Sequence, residues 1–277
     1  MNDVNLKAVV SELERIARAA GVIMMRGYRS GASITKKGSI DLVTEYDLAV
    51  EALVTEELKR SFADIAVIAE EGQGKRAIER HDAALRFFVD PIDGTTNFAH
   101  GHPFFAVSLG LCRGPAPLAG VVFAPALGVC WTGSVGHGAT RNGEACFVSE
   151  RALLGDALCA TGFGYDVVDA GDEDNVAEFR YVQQRARAVR RCGAAALDLT
   201  LVADGTYDAY WEAMLQPWDM AGGAAIVLAA GGRTTGFAGE AIDVQSGAVI
   251  ASNGRVHDAL VQAIAEARHG RPVRLRG

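Results

Sequence analysis

Between Leu85 and Phe104 the chain reads LRFFVDPIDGTTNFAHGHPF, and this stretch limits both fold and chemistry. Leu85 to Val89 is a short, sharply bounded apolar run, the pattern of a buried strand. Asp90 is then expected at its C-terminal end, where layered α/β proteins gather their ligands. Pro91 fixes its own φ and biases Asp90 toward extended backbone, while Gly94 allows a tight turn and leaves room for a ligand. Thr95 or Thr96 is placed to cap a short helix. Unpaired N–H groups at a helix start suit a phosphate, and the carboxylates of Asp90 and Asp93 suit a hard cation such as Mg²⁺. The two halves together point to metal-assisted phosphoryl chemistry.

The rest of the chain excludes several other classes. Its 277 residues are 49% hydrophobic and 22% charged, an ordinary globular composition with enough apolar material for a large core. The 27 basic and 34 acidic side chains give a net charge of −7, without a basic block longer than Arg190-Arg191 or Lys36-Lys37, which argues against wrapping nucleic acid. The N-terminal stretch carries acidic residues where a secretion signal needs a cationic region, and its apolar residues recur at helical spacing. The longest apolar run, Ala221 to Gly232, falls short of the roughly 20 residues a membrane span needs. Cys112, Cys130, Cys146, Cys159 and Cys192 are scattered, odd in number and free of C-x-x-C spacing, so neither a disulfide framework nor a zinc site is indicated. A cytoplasmic protein without nucleic-acid or membrane partners is the expectation.

Helices are predicted from Val4 to about Tyr28 and from about Glu45 to Ser61, the second with an apolar stripe of Leu48, Leu53, Val54 and Leu58. Ser30 to Asp41 reads as a polar loop with two lysines, a mobile flap over a site. Strands follow at Ile65 to Ala69 and Leu85 to Val89. Those at Phe104 to Cys112, Leu118 to Phe123 and Gly128 to Thr132 form an antiparallel meander. Beyond Glu150 strands and helices interleave: a strand near Ala157 to Thr161, a helix near Glu173 to Arg187, then the helical AAALDLTLVADG. Tyr207 to Trp211 (strand), Trp218 to Ala230 (helix), Arg233 to Thr235, Ala248 to Ser252 and Val256 to Arg268 (helix) continue an α/β pattern. A change of architecture is therefore placed near residue 150, between an α+β half (1–150) and an α/β half (151–277) that pack as one body.

Further acidic residues sit at element ends, each with a plainer reading beside it. Glu70 and Glu71 close the strand at Ala69 as Asp90 closes its own. Adjacent residues point opposite ways, so one of the pair faces a shared site, and Glu70 is the choice. Taken alone, the pair is a solvated turn. Asp219, in QPWDMAGG, follows Pro217 at an early helical position, where it also serves as an N-terminal cap. Asp47, in DLVTEYD, is by itself a first-turn helix carboxylate.

Together the motifs closely resemble the inositol monophosphatase family of the Mg²⁺-dependent, lithium-sensitive phosphatase superfamily. The likeness spans most of the chain. It rests on AEEG at Ala69 to Gly72, DPIDGTTNF at Asp90 to Phe98 and PWDMAGG at Pro217 to Gly223, in family order. DLVTEYD at Asp41 to Asp47, CGAAALDL at Cys192 to Leu199 and YWE at Tyr210 to Glu212 support it. The fold this implies is a layered α-β-α-β-α sandwich of the inositol monophosphatase and fructose-1,6-bisphosphatase type, combining α+β and α/β halves.

The resemblance also implies roles. Glu70, Asp90 and the Ile92 carbonyl correspond to ligands of a first Mg²⁺, and Asp90, Asp93 and Asp219 to ligands of a second, within a site of two or three ions. Thr95, Asp47 and Glu70 correspond to the catalytic residues that position and deprotonate a metal-activated water, with no covalent phosphoenzyme. Gly94 and Thr95 correspond to the phosphate-binding backbone. Gly193, Ala194, Ala195 and Glu212 line the alcohol pocket, Glu212 as acceptor for inositol hydroxyls. Many members carry Ser or Thr where this chain has Ala194, which removes one hydroxyl contact. The GTTNF sequence differs from the GTKEF of relatives that cleave adenosine bisphosphates, which points away from that substrate.

The implied activity is hydrolysis of inositol 1-phosphate or a similar small monoester by a homodimer. The alternatives are histidinol-phosphate hydrolysis at the same metal centre, or a regulatory binding role in transcription antitermination. His100 and His102 are not assigned as ligands, because an oxygen-rich Mg²⁺ site needs no imidazole. Lys36 stays outside the catalytic set, and GSVGHGA from Gly133 to Ala139 reads as a hairpin turn rather than a nucleotide fingerprint.

Overall fold

A computed structural model describes residues 4–30, 34–36, 42–72, 84–164 and 174–269 of the chain. Helix α1 (Leu6–Gly27) starts where the Asn5 side chain accepts the Ala8 N–H at 3.2 Å, and it buries Val9, Leu13, Ile16, Ala17, Ala20 and Met24 on one face. Strands β1 (Ile34–Lys36) and β2 (Leu42–Thr44) pair antiparallel, so the segment expected to be a loop from Ser30 to Asp41 contains a strand. The flap expectation otherwise falls on residues 31–33 and 37–41, outside the described residues. Helix α2 (Glu45–Ser61) is opened by a capping box between Thr44 and Asp47. Its buried stripe is Val50, Val54 and Leu58; Leu48 is 55% exposed and does not belong to it. Leu48 and Val50 lie about 200° apart around a helix of 3.6 residues per turn, so only one of them can face the sheet.

Strands β3 (Ala66–Ala69), β4 (Leu85–Asp93), β5 (Ala106–Arg113), β6 (Ala116–Ala124), β7 (Val129–Ser134), β8 (Gly138–Arg141) and β9 (Glu144–Cys146) form one seven-stranded sheet in sequence order. β3 and β4 are parallel and the others antiparallel, which realises the expected meander and extends it by two short strands. The GSVGHGA segment is the hairpin between β7 and β8. Along β4, Phe87 and Val89 face the core under α1 and α2, while Phe88 faces the opposite core. A strand buried on both faces must read as a continuous apolar run.

The second half follows the interleaved pattern. Strand β10 (Leu158–Thr161) leads to α4 (Val176–Gln183), shorter than the helix expected from Glu173 to Arg187 because the edge strand β11 (Ala188–Arg190) takes over soon after it. Then come α5 (Ala195–Ala203), β12 (Ala209–Ala213), α6 (Pro217–Ala229), β13 (Arg233–Thr235), β14 (Ala248–Ser252) and α7 (His257–His269). The five strands order as β11-β10-β12-β14-β13, with parallel pairs around β10 and antiparallel pairs around β14. Helices α1 and α2 cover the outer face of the first sheet, α5 and α6 lie between the sheets, and α4 and α7 cover the second. This is the α-β-α-β-α sandwich. Among the described residues no helix is long and apolar enough to cross a membrane, and the five cysteines are free thiols.

A row of glycines seats α6. Gly110, Gly120 and Gly133 are register partners across β5, β6 and β7. A Cβ on Gly120 would stand 2.1 Å from the Gly222 carbonyl oxygen, one on Gly110 2.5 Å from the Gly222 nitrogen, and one on Gly133 3.0 Å from Ala229 Cβ. The helix backbone rests directly on the sheet, which a helix with larger residues on that side could not do. Gly120→Ala forces the helix off its seat, because the obstructing atoms are backbone. The expected cost is about 3 kcal/mol, a fall in Tm of roughly 6–12 °C by calorimetry. Gly155→Ala, where a Cβ has no neighbour nearer than the Arg185 oxygen at 3.7 Å, leaves stability within about 0.5 kcal/mol of the parent.

Candidate active site

Strand β4 does not stop at Val89. It runs through Asp90, Pro91 and Ile92 to Asp93, with a bulge: Asp90 pairs Ser108 and Asp93 pairs Ala106. The extra residue lets a proline occupy a strand, since the bulge removes the ladder bond its missing N–H would have donated. Gly94 follows at φ +87°, the left-handed region that favours glycine, and its Cβ would crowd the Phe104 and Gly193 carbonyls. Gly94 itself is the N-cap of α3 (Thr95–Ala99), so neither Thr95 nor Thr96 caps it. The Thr95 hydroxyl is used elsewhere: it lies 3.0 Å from Asp47 Oδ1 and 2.9 Å from the Ile92 carbonyl.

Asp47 is buried. Its Oδ2 accepts the Thr44 N–H at 2.8 Å and the Thr44 hydroxyl at 2.5 Å, which leaves Oδ1 for Thr95. Loss of hydration raises its affinity for protons, against the lowering effect of these donors. The capping role and the contact with Thr95 therefore use different oxygens of one carboxyl.

Asp93 holds the second half in place. Its Oδ1 accepts the Ala195 N–H at 3.0 Å, and its Oδ2 accepts those of Ala196 at 2.8 Å and Leu197 at 3.4 Å. These are the first amides of α5, so a carboxylate at its positive end satisfies donors the helix leaves unpaired. Asp219 opens α6 in the same manner: Pro217 is at the first helical position and Asp219 Oδ2 accepts the Gln216 N–H at 2.7 Å. Asp219 stands close enough to Asp90 for its charge to raise that carboxyl.

Asp90 is the centre of this group. Burial, then the charges of Glu70, Asp93, Asp219 and Asp47, push its carboxyl well above the usual range. Burial likewise raises Asp93 and Asp219. Glu70 follows β3, where its N–H donates to the Val89 carbonyl at 3.2 Å. The predicted residues Asp47, Glu70, Asp90, Ile92, Asp93, Gly94, Thr95 and Asp219 thus converge at the end of β4. Gly193, Ala194 and Ala195 adjoin them: a Cβ on Gly94 would be 3.2 Å from Ala194 Cβ. Glu212, on β12, is buried and close enough for its charge to raise Asp93, and burial lifts its own carboxyl to about 7.

The donor set fits Mg²⁺. All of its atoms are hard oxygens, their mutual repulsion calls for a cation, and Asp90 Oδ1 is buried without a hydrogen-bond partner. Among the described residues no three of these side chains stand at ligand spacing around a common point. The carboxyls of Asp93 and Asp219 turn instead to the α5 amides and to the Gln216 amide.

Three neighbours escaped the sequence reading. The Asn97 side-chain amide bridges the carbonyls of Phe104 at 2.7 Å and Cys192 at 2.9 Å, tying α3 to the turn before α5. Its place within DPIDGTTNF was the available signal. Asp198 is buried with both oxygens unpartnered, and Tyr210 donates its hydroxyl to Glu212. Asp198 has a helical position indistinguishable by pattern from a surface one. His100 and His102 enter none of these contacts; the His102 N–H donates to the Asn97 carbonyl at 2.8 Å.

Known proteins share this arrangement of chain. Residues 5–269 match the sequence profile of the inositol monophosphatase family. The inositol-1-monophosphatase of Synechocystis sp. is 41% identical over 249 residues, covering 89% of this chain and 85% of that one. The Nus factor SuhB of Pseudomonas aeruginosa is 38% identical over 254 residues, covering 90% and 93%. The solved inositol monophosphatase from Anabaena superposes with a TM-score of 0.84 at 34% identity, covering 95% and 97%.

The raised carboxyls make a prediction for Mg²⁺. Burial raises Asp90, Asp93 and Asp219, so above the unfolded carboxylate range of about pH 4 the folded protein holds protons that the unfolded chain releases. The metal-free fold is therefore weakened by these groups as pH rises. Mg²⁺ competes with those same protons. The rise in Tm on adding Mg²⁺ is expected to grow from about pH 5 to about pH 8, reaching roughly 5 °C at a hundredfold excess over Kd. A gain independent of pH, measured against EDTA controls, contradicts this.

Proposed function

The chain belongs to the inositol monophosphatase family, and from that premise we propose that it hydrolyses a small phosphate monoester, inositol 1-phosphate foremost, with Mg²⁺. The observation that carries this is the convergence of buried Asp90 and Asp93 with half-buried Asp219 and Glu70 beside the Thr95–Asp47 pair. Glu70, Asp90 and the Ile92 carbonyl would hold one ion, and Asp90, Asp93 and Asp219 another. Bound Mg²⁺ supplies Lewis-acid charge that offsets the negative charge gathering on the phosphate oxygens in the transition state. The N–H groups of Gly94 and Thr95 would hold the phosphate.

The remaining work falls to this chain's own side chains. With its hydroxyl hydrogen turned to Asp47 Oδ1, Thr95 keeps its oxygen lone pairs for the proton of an attacking water. Burial gives Asp47 the raised proton affinity that a terminal acceptor needs, and Thr44 keeps its carboxyl from rotating. Asp93 on β4 is met by the first amides of α5 and Asp219 arrives with the N-terminus of α6, so the site would draw on both the 1–150 and 151–277 segments. On the alcohol side, Glu212 would accept hydroxyl hydrogens, while Gly193, Ala194 and Ala195 form the wall. Ala194 offers only a methyl group there.

The test is phosphate release from inositol 1-phosphate by the purified chain with Mg²⁺ and with EDTA. Asp93→Asn is expected to lower kcat at least 100-fold, and Thr95→Ala about 100-fold. Full turnover in EDTA, or in Asp93→Asn, refutes the mechanism. The 38% identity to the P. aeruginosa Nus factor SuhB supports a second reading, a binding role in transcription antitermination. Partners retained by Asp93→Asn in pull-downs, without turnover, favour that role.

A further inference from the structure

Glu212 is the only carboxyl at the alcohol end proposed to contact substrate, so its orientation matters more than its presence. Two features fix that orientation without occupying the pocket. The first is the Tyr210 hydroxyl, two residues earlier on β12, which donates to Glu212 Oε2 and is the one hydrogen-bond partner of this carboxyl among the described residues. The ring of Tyr210 is fully buried, with no room to swing the hydroxyl elsewhere. The second is Gly162, just beyond β10. A Cβ there would stand 1.9 Å from Glu212 Oε2 and 2.3 Å from its Cδ and Oε1, and all three of its nearest atoms belong to Glu212. The carboxyl lies in the space that a side chain at residue 162 would take.

Alternate residues of a strand share one face. Tyr210 and Glu212 therefore stand side by side on the face of β12 toward α5, while Trp211 points to the opposite core and donates its ring N–H to Asn175. The backbone of β12 is held on one side by β10 and on the other by β14, which leaves the side-chain torsions of Glu212 as its only freedom. The tyrosine and the glycine remove that freedom from opposite directions, one by a hydrogen bond and one by a fitted space.

We propose that Tyr210 and Gly162 are positioning residues that clamp Glu212, engaging Oε2 so that Oε1 is presented to a hydroxyl of the substrate alcohol, and that this clamp sets the preference for polyol over plain phosphate esters. The inference rests on the phosphatase reading above. Its chemistry is that of a pre-oriented acceptor: a hydrogen bond made to an ordered carboxylate needs no further loss of rotamer freedom on binding. A site built to receive a hydroxyl rejects an analogue that lacks one, because its own polar atom then stays unpaired. Removal of the tyrosine hydroxyl also removes the donor that opposes the effect of burial on Glu212.

Tyr210→Phe and Gly162→Ala perturb Glu212 independently. The alanine meets only the far end of a side chain, so it displaces the carboxyl rather than the backbone. In each variant, kcat/KM for inositol 1-phosphate divided by that for 4-nitrophenyl phosphate should fall about tenfold, matching the loss of a hydrogen bond to a charged acceptor. The loss should appear in KM for inositol 1-phosphate. Glu212→Gln supplies the benchmark ratio, and calorimetric titration with myo-inositol should show the same order of weakening. Circular dichroism and Tm separate lost positioning from lost fold. An unchanged ratio in both folded variants, or equal losses on both esters, overturns the clamp. If the parent chain hydrolyses neither ester with Mg²⁺, the phosphatase reading fails and the clamp with it. If the parent hydrolyses both while the ratio ignores the variants, only the clamp fails.

Discussion

The close approach of α6 to the first sheet is the contact on which the site depends. Gly110, Gly120 and Gly133 form one transverse row, and the helix backbone at Gly222 lies in it. A separation of about 10 Å is ordinary for layers with side chains between them. Here glycine on both surfaces lets backbone meet backbone, and the helix start is carried inward by the same amount. Asp219 sits at that start, which is why a residue of the C-terminal half can reach Asp90 on β4. Helix α5 packs beside α6 and presents its first amides to Asp93. The two helices between the sheets are thus both scaffold and site.

Bringing five carboxyls together, with Asp47, Asp90 and Asp93 buried, works against folding. Moving one ionised group out of water costs several kcal/mol even after relaxation. Three devices reduce that cost here: helix amides satisfy Asp93, a cap amide satisfies Asp219, and Thr44 and Thr95 donate to Asp47. Asp90 keeps one oxygen without any donor. The arrangement is therefore an acidic cavity wall maintained by packing elsewhere, chiefly the Val, Leu and Phe residues on both faces of β4, β5 and β6. Stability and ion affinity trade against one another through the same protons.

Much of this was legible in the residues, for physical reasons that differ by element. The end of β4 could be read because an apolar run followed by Asp, Pro and Gly restricts backbone and chemistry together. Helix α6 could be read because Pro217 and a 13-residue apolar stretch admit few alternatives. Other features depend on partners that a linear pattern does not contain. The glycine row exists only once register is known, since Gly110, Gly120 and Gly133 are ordinary turn-compatible residues in isolation. Strands β8, β9 and β11 are three or four residues long, too short to show a period. Leu48 fitted an apolar stripe but faces outward, while Val50 took the buried position. The expectation that β4 ends at Val89 followed the end of the apolar run, whereas the strand continues through a bulge to Asp93.

The two ends of the site solve different problems. Under the proposed function, charge does the work at the β4 end, where a bound cation would balance several carboxyl oxygens. At the β12 end, shape and a single acceptor do the work. Glu212 connects them, because its charge raises Asp93 while its carboxyl is held by Tyr210. Under the proposed function, Ala194 contributes only a methyl group at the neighbouring wall, and among the residues assigned there Glu212 is the one hydroxyl acceptor. Such an acceptor is selective only to the degree that it is fixed. On that proposal, the space left at Gly162 is as much a part of substrate choice as the group that fills it.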